Sequence, residues 1–306
     1  MFSKRYALLL LSITLLCSCA TTVQQVEKSP EVMASLAEES PENADQKIEN
    51  LSVPVLVAKG REFLAQGNLQ LAGVHFTAAL NKDPASVAAI TGLGEILRRA
   101  GKYEDAAKLF EKAIEIDPQN PAALLAMARL DRDQGNYEEA IARLGDVLRE
   151  NPDNVGVLTE LGKCHDALGN AATAEPFYRK VIEIKPNSAS GRNNLGVNLT
   201  LQGKYPEAIT NFSRALRLEP ENKRTRNNLG MAYALAGDEK RALDLFEDTS
   251  GKPAAYNNLG YLYMTQGHWE MAEKAFKQAL ELSPRFYVKA QKNLDRLQEL
   301  RGASRP

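Results

Sequence analysis

The sequence predicts an all-α solenoid of about seven helix-turn-helix repeats. The run Asn-Asn-Leu-Gly begins at Asn193 and returns at Asn227 and Asn257, so its copies are 34 and then 30 residues apart. Glycine and alanine recur in phase with this spacing from residue 53 to residue 286. The apolar residues between them follow the i, i+3, i+4, i+7 spacing of amphipathic helices. A period of this size is typical of a solenoid in which each repeat packs against its neighbours.

The unit 87–120 shows how one repeat is built. Ile90, Leu93 and Leu97 form the apolar stripe of a first helix, and Phe110 lies within the stripe of a second helix. Pro118 ends the second helix, because proline cannot continue the backbone hydrogen bonding of a helix. On this pattern the chain divides into the repeats 53–86, 87–120, 121–154, 155–188, 189–222, 223–252 and 253–286.

Small residues recur at three positions of the repeat. A glycine after the first helix provides the left-handed backbone that ends a helix, and it occurs at Gly67, Gly101, Gly135, Gly169, Gly203, Gly237 and Gly267. An alanine in the second helix lets the two helices approach closely, and it occurs at Ala72, Ala106, Ala140, Ala174, Ala208, Ala242 and Ala272. A glycine within the first helix costs about 1 kcal/mol against alanine, which indicates a packing requirement at that site. The residues there are Gly60, Gly94, Ala128, Gly162, Gly196, Gly230 and Gly260.

This arrangement resembles the tetratricopeptide repeat (TPR) family over about three quarters of the chain. The resemblance implies a right-handed superhelical solenoid whose first helices line a concave face. Residues 287–306 follow the last repeat and are expected to form a capping helix and a tail. The cap would place Tyr287, Ala290, Leu294 and Leu297 against the last repeat, since an open-ended solenoid needs a solvated end.

The repeat 223–252 departs from the pattern. It is four residues shorter than most of the others and has no terminal proline. Four residues are about one helical turn, so its second helix is expected to end early, at Ser250-Gly251. The sequence leaves open whether the stack absorbs this deletion or whether it changes the pitch of the solenoid or forms a hinge.

The first 18 residues have the features of a lipoprotein signal peptide. Lys4 and Arg5 precede the apolar segment from Ala7 to Leu16, which is too short to span a bilayer as a helix. The sequence Leu16-Cys17-Ser18-Cys19 then resembles the bacterial lipobox. The resemblance implies that Cys19 is lipidated and becomes the first residue of the mature chain. An ordinary secretory leader cleaved nearby is the alternative.

Residues 19–52 are expected to form a lipidated, flexible tether. The segment is rich in glutamate and contains no aromatic residue, so it cannot bury enough apolar surface to become ordered. Ala20 rather than aspartate follows the cysteine. In bacterial lipoprotein sorting this implies the outer membrane, with the protein facing the periplasm. The sequence therefore predicts a membrane partner through the lipid anchor.

Composition and motifs disfavour nucleic acid and catalysis. The formal net charge is −1 with no basic tail, so no nucleic-acid partner is expected. His75, His165 and His268 fall in three different repeats without neighbouring carboxylates or cysteines at metal spacing. Cys164 and His165 are adjacent on one helix and cannot meet as nucleophile and base. We expect no enzyme activity, no cofactor and no metal site.

The doubled asparagines are unusual in a helix. Asparagine is a poor helix former, and six of them in three first helices need a compensating interaction. In some TPR proteins asparagines at this site bond the backbone of a bound extended peptide. By that resemblance, Asn194, Asn228 and Asn258 would form a ladder along the groove, with apolar and basic residues beside it. The predicted peptide-binding residues are Asn193, Asn194, Val197, Arg224, Asn227, Asn228, Met231, Asn257, Asn258 and Tyr261.

Two further points limit this prediction. The asparagines could instead bond each other between repeats and so hold the repeats in register. The earlier repeats carry Thr91-Gly92, Leu125-Ala126 and Thr159-Glu160 at the same positions. The groove is therefore predicted in the last three repeats only.

The layout of lipobox, acidic tether and repeats resembles the TadD-type lipoproteins of tight-adherence (Flp) pilus assembly. The segments from Ala255 to Tyr261 and from Ser283 to Tyr287 carry the resemblance. It implies a non-enzymatic scaffold whose partners are envelope proteins, such as a secretin or another pilus-assembly component. The alternative is an envelope adaptor of the NlpI type, which recruits cell-wall hydrolases or proteases.

Overall fold

The computed structural model describes residue 48, residues 50–283 and residues 287–303. These residues contain fifteen helices and no strand, as the repeat pattern predicts. No helix among them is both long enough and apolar enough to span a membrane. The signal peptide, Cys19 and nearly all of the tether lie outside the described residues.

The helices form seven pairs and a final single helix. The first helices of the pairs are α1 (Val53–Ala65), α3 (Val87–Arg99), α5 (Pro121–Gln134), α7 (Val155–Ala167), α9 (Ala189–Leu201), α11 (Lys223–Leu235) and α13 (Lys252–Thr265). The second helices are α2 (Leu69–Lys82), α4 (Tyr103–Ile116), α6 (Tyr137–Glu150), α8 (Ala171–Ile184), α10 (Tyr205–Leu218), α12 (Glu239–Ser250) and α14 (Trp269–Leu282). The final helix is α15 (Tyr287–Ala303).

The described residues belong to two compact units. The N-terminal unit ends at Cys164 and the C-terminal unit begins at His165, so the division falls within α7. In the N-terminal unit, first helices of successive repeats pack together, α1 on α3 and α3 on α5. In the C-terminal unit, α9 packs on α11, α11 on α13 and α13 on α15. Each unit therefore presents its own surface of adjacent first helices.

The small residues have the packing role that the sequence predicts. In the N-terminal unit, a Cβ atom added at Gly94 would lie 2.4 Å from Cε1 of Phe110. In the C-terminal unit, a Cβ at Gly196 would lie 2.6 Å from Cε1 of Phe212. The glycines thus make room for the aromatic ring of the second helix. The seven alanines of the second helices are all fully buried.

The third repeat uses a different pair of residues at this contact. Ala128 replaces the glycine of the first helix, and Leu144 replaces the phenylalanine of the second. Both side chains are fully buried. Where the first helix carries a methyl group, the second helix therefore carries leucine, which is smaller than phenylalanine.

The shortened repeat loses both helix and linker. Helix α12 has 12 residues, whereas the other second helices have 14, and it ends at Ser250 as the deletion predicts. Gly251, with φ 80° and ψ 162°, is the single residue between α12 and α13. Other repeats have four residues in this linker, for example 83–86. The chain therefore turns directly from one repeat into the next.

Helix α15 covers the end of the last repeat. Ala290, Leu294 and Leu297 are buried, as expected for a cap. Leu294 and Leu297 belong to the same core cluster as Leu259 and Phe276 of the last repeat. The side chain of Tyr287 lies outside the described residues.

Candidate functional site

The asparagine pairs lie on the adjacent first helices of the C-terminal unit, and one member of a pair bonds to the next repeat. Nδ2 of Asn228 donates to Oδ1 of Asn193 at 2.9 Å, and both side chains are buried. Nδ2 of Asn293, on α15, donates to Oδ1 of Asn257 at 2.8 Å. Amide-to-amide bonds thus join α9 to α11 and α13 to α15. This is the inter-repeat bonding that the sequence left as an alternative to peptide binding.

Among the described residues, no such amide-to-amide bond joins α11 to α13. The two bonds that form join residues 35 and 36 apart, whereas Asn227 and Asn258 are 31 residues apart because of the deletion. Oδ1 of Asn227 is buried and has no hydrogen-bond partner in the described part of the chain. An unsatisfied buried polar atom costs about 1–3 kcal/mol. One amide oxygen of the predicted groove therefore has no internal partner among the described residues.

The remaining asparagines are the ones open to a ligand. Asn194 and Asn258 are half-buried, and no side-chain hydrogen bond is formed by either within the described residues. The expected ladder of Asn194, Asn228 and Asn258 is therefore reduced to its two ends, because the amide of Asn228 is bonded to Asn193.

The other predicted groove residues also divide into some that are open to a ligand and some that are not. Val197 and Tyr261 are half-buried and Arg224 is exposed. Met231 is only 4% exposed and packs in the core, so it does not form an open floor. Arg226 donates to the carbonyl oxygen of Pro220 at 2.6 Å, which ties its charge to the end of the preceding repeat.

A second candidate site, which the sequence reasoning missed, lies on α3, α5 and α7 in the N-terminal unit. A continuous network of ion pairs joins five cations to three carboxylates on these helices. We call the five cations the cation row: Arg98, Arg99, Arg129, Arg132 and Lys163. The repeat period would have revealed it, since Glu95, Arg129 and Lys163 share one repeat position and Arg98 and Arg132 share another.

The network crosses from helix to helix. Glu95 on α3 accepts from Arg98 at 2.8 Å and from Arg99 at 3.0 Å. Arg98 also pairs with Asp133 on α5, and Asp133 accepts from Arg132 at 2.7 Å. These bonds link the second repeat to the third.

Glu160 on α7 is the other centre of the network. It pairs with Arg132, and it accepts from Lys163 at 3.0 Å and from Nε of Arg129 at 3.3 Å. Burial would raise the pKa of Glu160, but the charges of Lys163, Arg132 and Arg129 outweigh that effect and hold the pKa below its ordinary value. The carboxylate is therefore ionised at neutral pH.

A buried polar cluster in the C-terminal unit is centred on Asp166. One carboxylate oxygen accepts from the hydroxyl of Tyr178 at 2.9 Å, and the other accepts from Nδ2 of Asn198 at 2.6 Å. Burial raises the pKa of Asp166 to about 6, although these two hydrogen bonds act to lower it. The cluster joins α7 to α8 and α9.

Cys164 and His165, two neighbouring residues of α7 with side chains that catalysis often uses, lie in packed surroundings. Cys164 is a buried free thiol, and burial raises its pKa to about 11, so it is not a thiolate at neutral pH. The ring of His165 stacks on Phe177 with centroids 5.6 Å apart, so His165 packs against the second helix of its own repeat. Across the described ranges, no group of three or more His, Cys, Asp or Glu side chains could hold a metal ion.

Comparisons with known proteins agree with the helical architecture. Models of the tetratricopeptide repeat match residues 63–130, 97–144, 125–189, 187–250 and 253–286. A solved tetratricopeptide repeat protein from Parabacteroides merdae is 25% identical with a TM-score of 0.54, and the match covers 80% of this chain and 98% of that one. A search of curated proteins found no match.

Two further solved structures show the same fold at lower identity. PilF of Pseudomonas aeruginosa is 21% identical with a TM-score of 0.53, over 64% of this chain and 89% of that one. A chain of the Cut9–Hcn1 hetero-tetramer of APC/C is 19% identical with a TM-score of 0.58, over 80% of this chain and 52% of that one. Because the matched models together span nearly all of the helical repeats, the chain belongs to the tetratricopeptide repeat family, whose fold is a scaffold for binding peptides and other proteins.

Proposed function

We propose that this chain is a non-enzymatic scaffold, lipid-anchored to the periplasmic face of the outer membrane, that supports assembly of a pilus or secretion system of the tight-adherence type. The observation that carries the proposal is a lipobox ending at Cys19 in a chain that otherwise consists of a tether and tetratricopeptide repeats. A lipidated scaffold of this kind holds partner proteins near the membrane without performing chemistry.

The partner would bind as an extended segment along the first helices of the last three repeats. A side-chain amide both donates and accepts, so it can bond the backbone of a partner of any sequence. Asn194 and Asn258 are half-buried and have their amides available for this, judged on the described residues. Val197 and Tyr261 lie three residues further along the same helices and add apolar contact area.

Anchoring is tested by replacing Cys19 with alanine. We expect the variant to lose labelling by radioactive palmitate and to leave the membrane fraction, because the lipidated thiol is gone. The matched control is Cys17→Ala, which keeps Leu16, Ser18 and Cys19 of the lipobox and should keep its label. Continued labelling of the Cys19 variant would contradict the proposed anchor.

The partner is tested by site-specific crosslinking in intact cells. A photo-reactive residue at Val197 should crosslink to an envelope protein, and Asn194→Ala with Asn258→Ala should reduce the yield. Asn211→Ala is the control, because Asn211 is half-buried like Asn194 but lies on a second helix, where its amide donates to the backbone carbonyl of Glu207. A secretin or pilus component in the crosslink, with loss of surface pili on deletion of the gene, supports the proposal. A cell-wall hydrolase or protease with normal piliation would favour the adaptor function instead.

A further inference from the structure

We propose that the cation row of the N-terminal unit is a separate binding site for an acidic, extended segment of a partner protein. This goes beyond the proposed function, because the row lies on α3, α5 and α7 and does not depend on the lipid anchor or on the asparagines. Three observations support the proposal: the exposure of the cations, the hydrogen-bond donors they leave unused, and the spacing of the helices.

Two carboxylates of the network, Glu160 and Glu95, lie deeper than three of its cations. The side chains of Glu160 and Glu95 are 5% and 10% exposed. Arg129, Lys163 and Arg99 are 33%, 38% and 40% exposed. The other members are less exposed, since Arg98 is 13% exposed and Arg132 and Asp133 are both 20% exposed. The charge offered to a partner therefore comes mainly from the three outer cations and is positive.

The cations at the surface have capacity left after the internal ion pairs are made. Arg129 uses only Nε, toward Glu160, and its other N–H groups have no acceptor among the residues that the structure describes. A guanidinium carries five N–H donors in a planar fork that matches a carboxylate. Arg129 can therefore bind an incoming carboxylate without releasing Glu160.

Lys163 is a partly desolvated ammonium group close to two other cations. Burial lowers the pKa of Lys163, Glu160 raises it, and the charges of Arg132 and Arg129 lower it again, so that the pKa lies below its ordinary value. An ammonium group with a lowered pKa is one whose charge is incompletely compensated. A carboxylate placed beside it would supply that compensation.

The spacing of the row suits an extended chain. Arg129 and Lys163 lie on successive first helices, and packed helices are about 10 Å apart. Three residues of an extended chain span about the same distance. A partner segment with an acidic residue at every third position would therefore place successive carboxylates over successive helices.

The test uses the full chain purified in detergent and a fluorescent peptide of about 12 residues with glutamate at every third position. Fluorescence anisotropy should show binding that weakens with salt, while the same peptide with glutamine in place of glutamate should not bind. Arg129→Gln and Lys163→Gln should each weaken binding about fivefold, and Lys163→Arg should retain it. Arg143→Gln is the matched control. Arg143 is also 33% exposed and also pairs with a carboxylate, at 3.1 Å from Asp131, but it lies on the second helix α6.

Three outcomes would overturn the proposal. The first is equal binding of the glutamate and glutamine peptides. The second is equal loss in the Arg143 control and the row variants. The third is tighter binding after Glu38, Glu39 and Glu42 are changed to glutamine, which would show that the chain's own tether occupies the row. Circular dichroism of every variant checks that the helices are intact, and Asn194→Ala with Asn258→Ala should leave this binding unchanged.

Discussion

The contact between Gly196 and Phe212 gives the sharpest test of how the repeats pack. A Cβ atom at residue 196 would lie 2.6, 2.7 and 2.8 Å from three carbon atoms of the Phe212 ring. Carbon atoms in contact normally lie about 3.5–4.0 Å apart. Phe212 is fully buried, so its ring cannot move into solvent. Gly196→Ala must therefore displace either the ring or the helix.

The size of the effect follows from two opposing terms. Overpacking a core costs about 1–3 kcal/mol, and alanine recovers about 1 kcal/mol of helix propensity relative to glycine. We expect Gly196→Ala to lower the free energy of unfolding by about 1–2 kcal/mol. The third repeat supplies the compensating change, since Ala128 there accompanies Leu144. Phe212→Leu should therefore cost less in the alanine background than in the wild type.

A double-mutant cycle in urea, followed by circular dichroism, measures this coupling. Because neighbouring repeats unfold together, the four proteins are compared by the midpoints and slopes of one transition. We expect a coupling of about 1 kcal/mol or more between residues 196 and 212. Gly145→Ala is the control, since a Cβ there meets no atom within 4 Å, and it should stabilise by up to about 1 kcal/mol. Additive costs at residues 196 and 212 would refute the packing argument.

Two predictions concern the buried charges. Glu160→Gln should lower the free energy of unfolding by about 3 kcal/mol in the same urea assay, because it leaves Arg129 and Lys163 without their carboxylate partner. An unchanged midpoint would contradict the role given to the network. Asp166 holds its proton more tightly in the folded chain, with a pKa of about 6 against an ordinary 3.8, so its contribution to stability falls as pH rises from about 4 to about 6. Asp166→Asn should therefore become more stable relative to wild type across that window, by up to about 3 kcal/mol, whereas a stability difference that does not change with pH would count against the raised pKa.

The helices could be predicted from the sequence because each repeat position has one physical requirement. The glycine before the second helix has a positive φ in all seven repeats, and the small residue of the first helix faces an aromatic ring wherever that contact is described. Because each requirement recurs in seven repeats, the same residue type appears at the same spacing along the sequence, and this spacing predicts the helices. The early end of α12 could be predicted in the same way, because the repeat 223–252 is four residues shorter than this spacing.

The functional residues were harder to predict because they depend on pairing between repeats. Position in the repeat puts Asn194 and Asn228 at equivalent sites, yet Asn228 bonds Asn193 of the preceding repeat and Asn194 does not pair. Single residues of the cation row also look like ordinary charges on a helix surface. Their connection through Glu160 becomes visible only when α5 and α7 are placed side by side.

Asn227 offers a way to separate stability from binding in the C-terminal unit. Its Oδ1 is buried and unpaired within the part of the chain described here, so replacing the side chain with alanine should leave stability unchanged or raise it by up to about 1 kcal/mol. Asn193→Ala is the comparison, because it removes the acceptor of Asn228 and leaves a buried donor unsatisfied at a cost of about 1–3 kcal/mol.

If the buried, unsatisfied Oδ1 of Asn227 does not stabilise the fold, it needs another reason to be present. If it binds the partner, Asn227→Ala should weaken the crosslink at Val197 while the urea midpoint stays level or rises. A fall in the midpoint equal to that of Asn193→Ala would show instead that Asn227 stabilises the packing of the repeats.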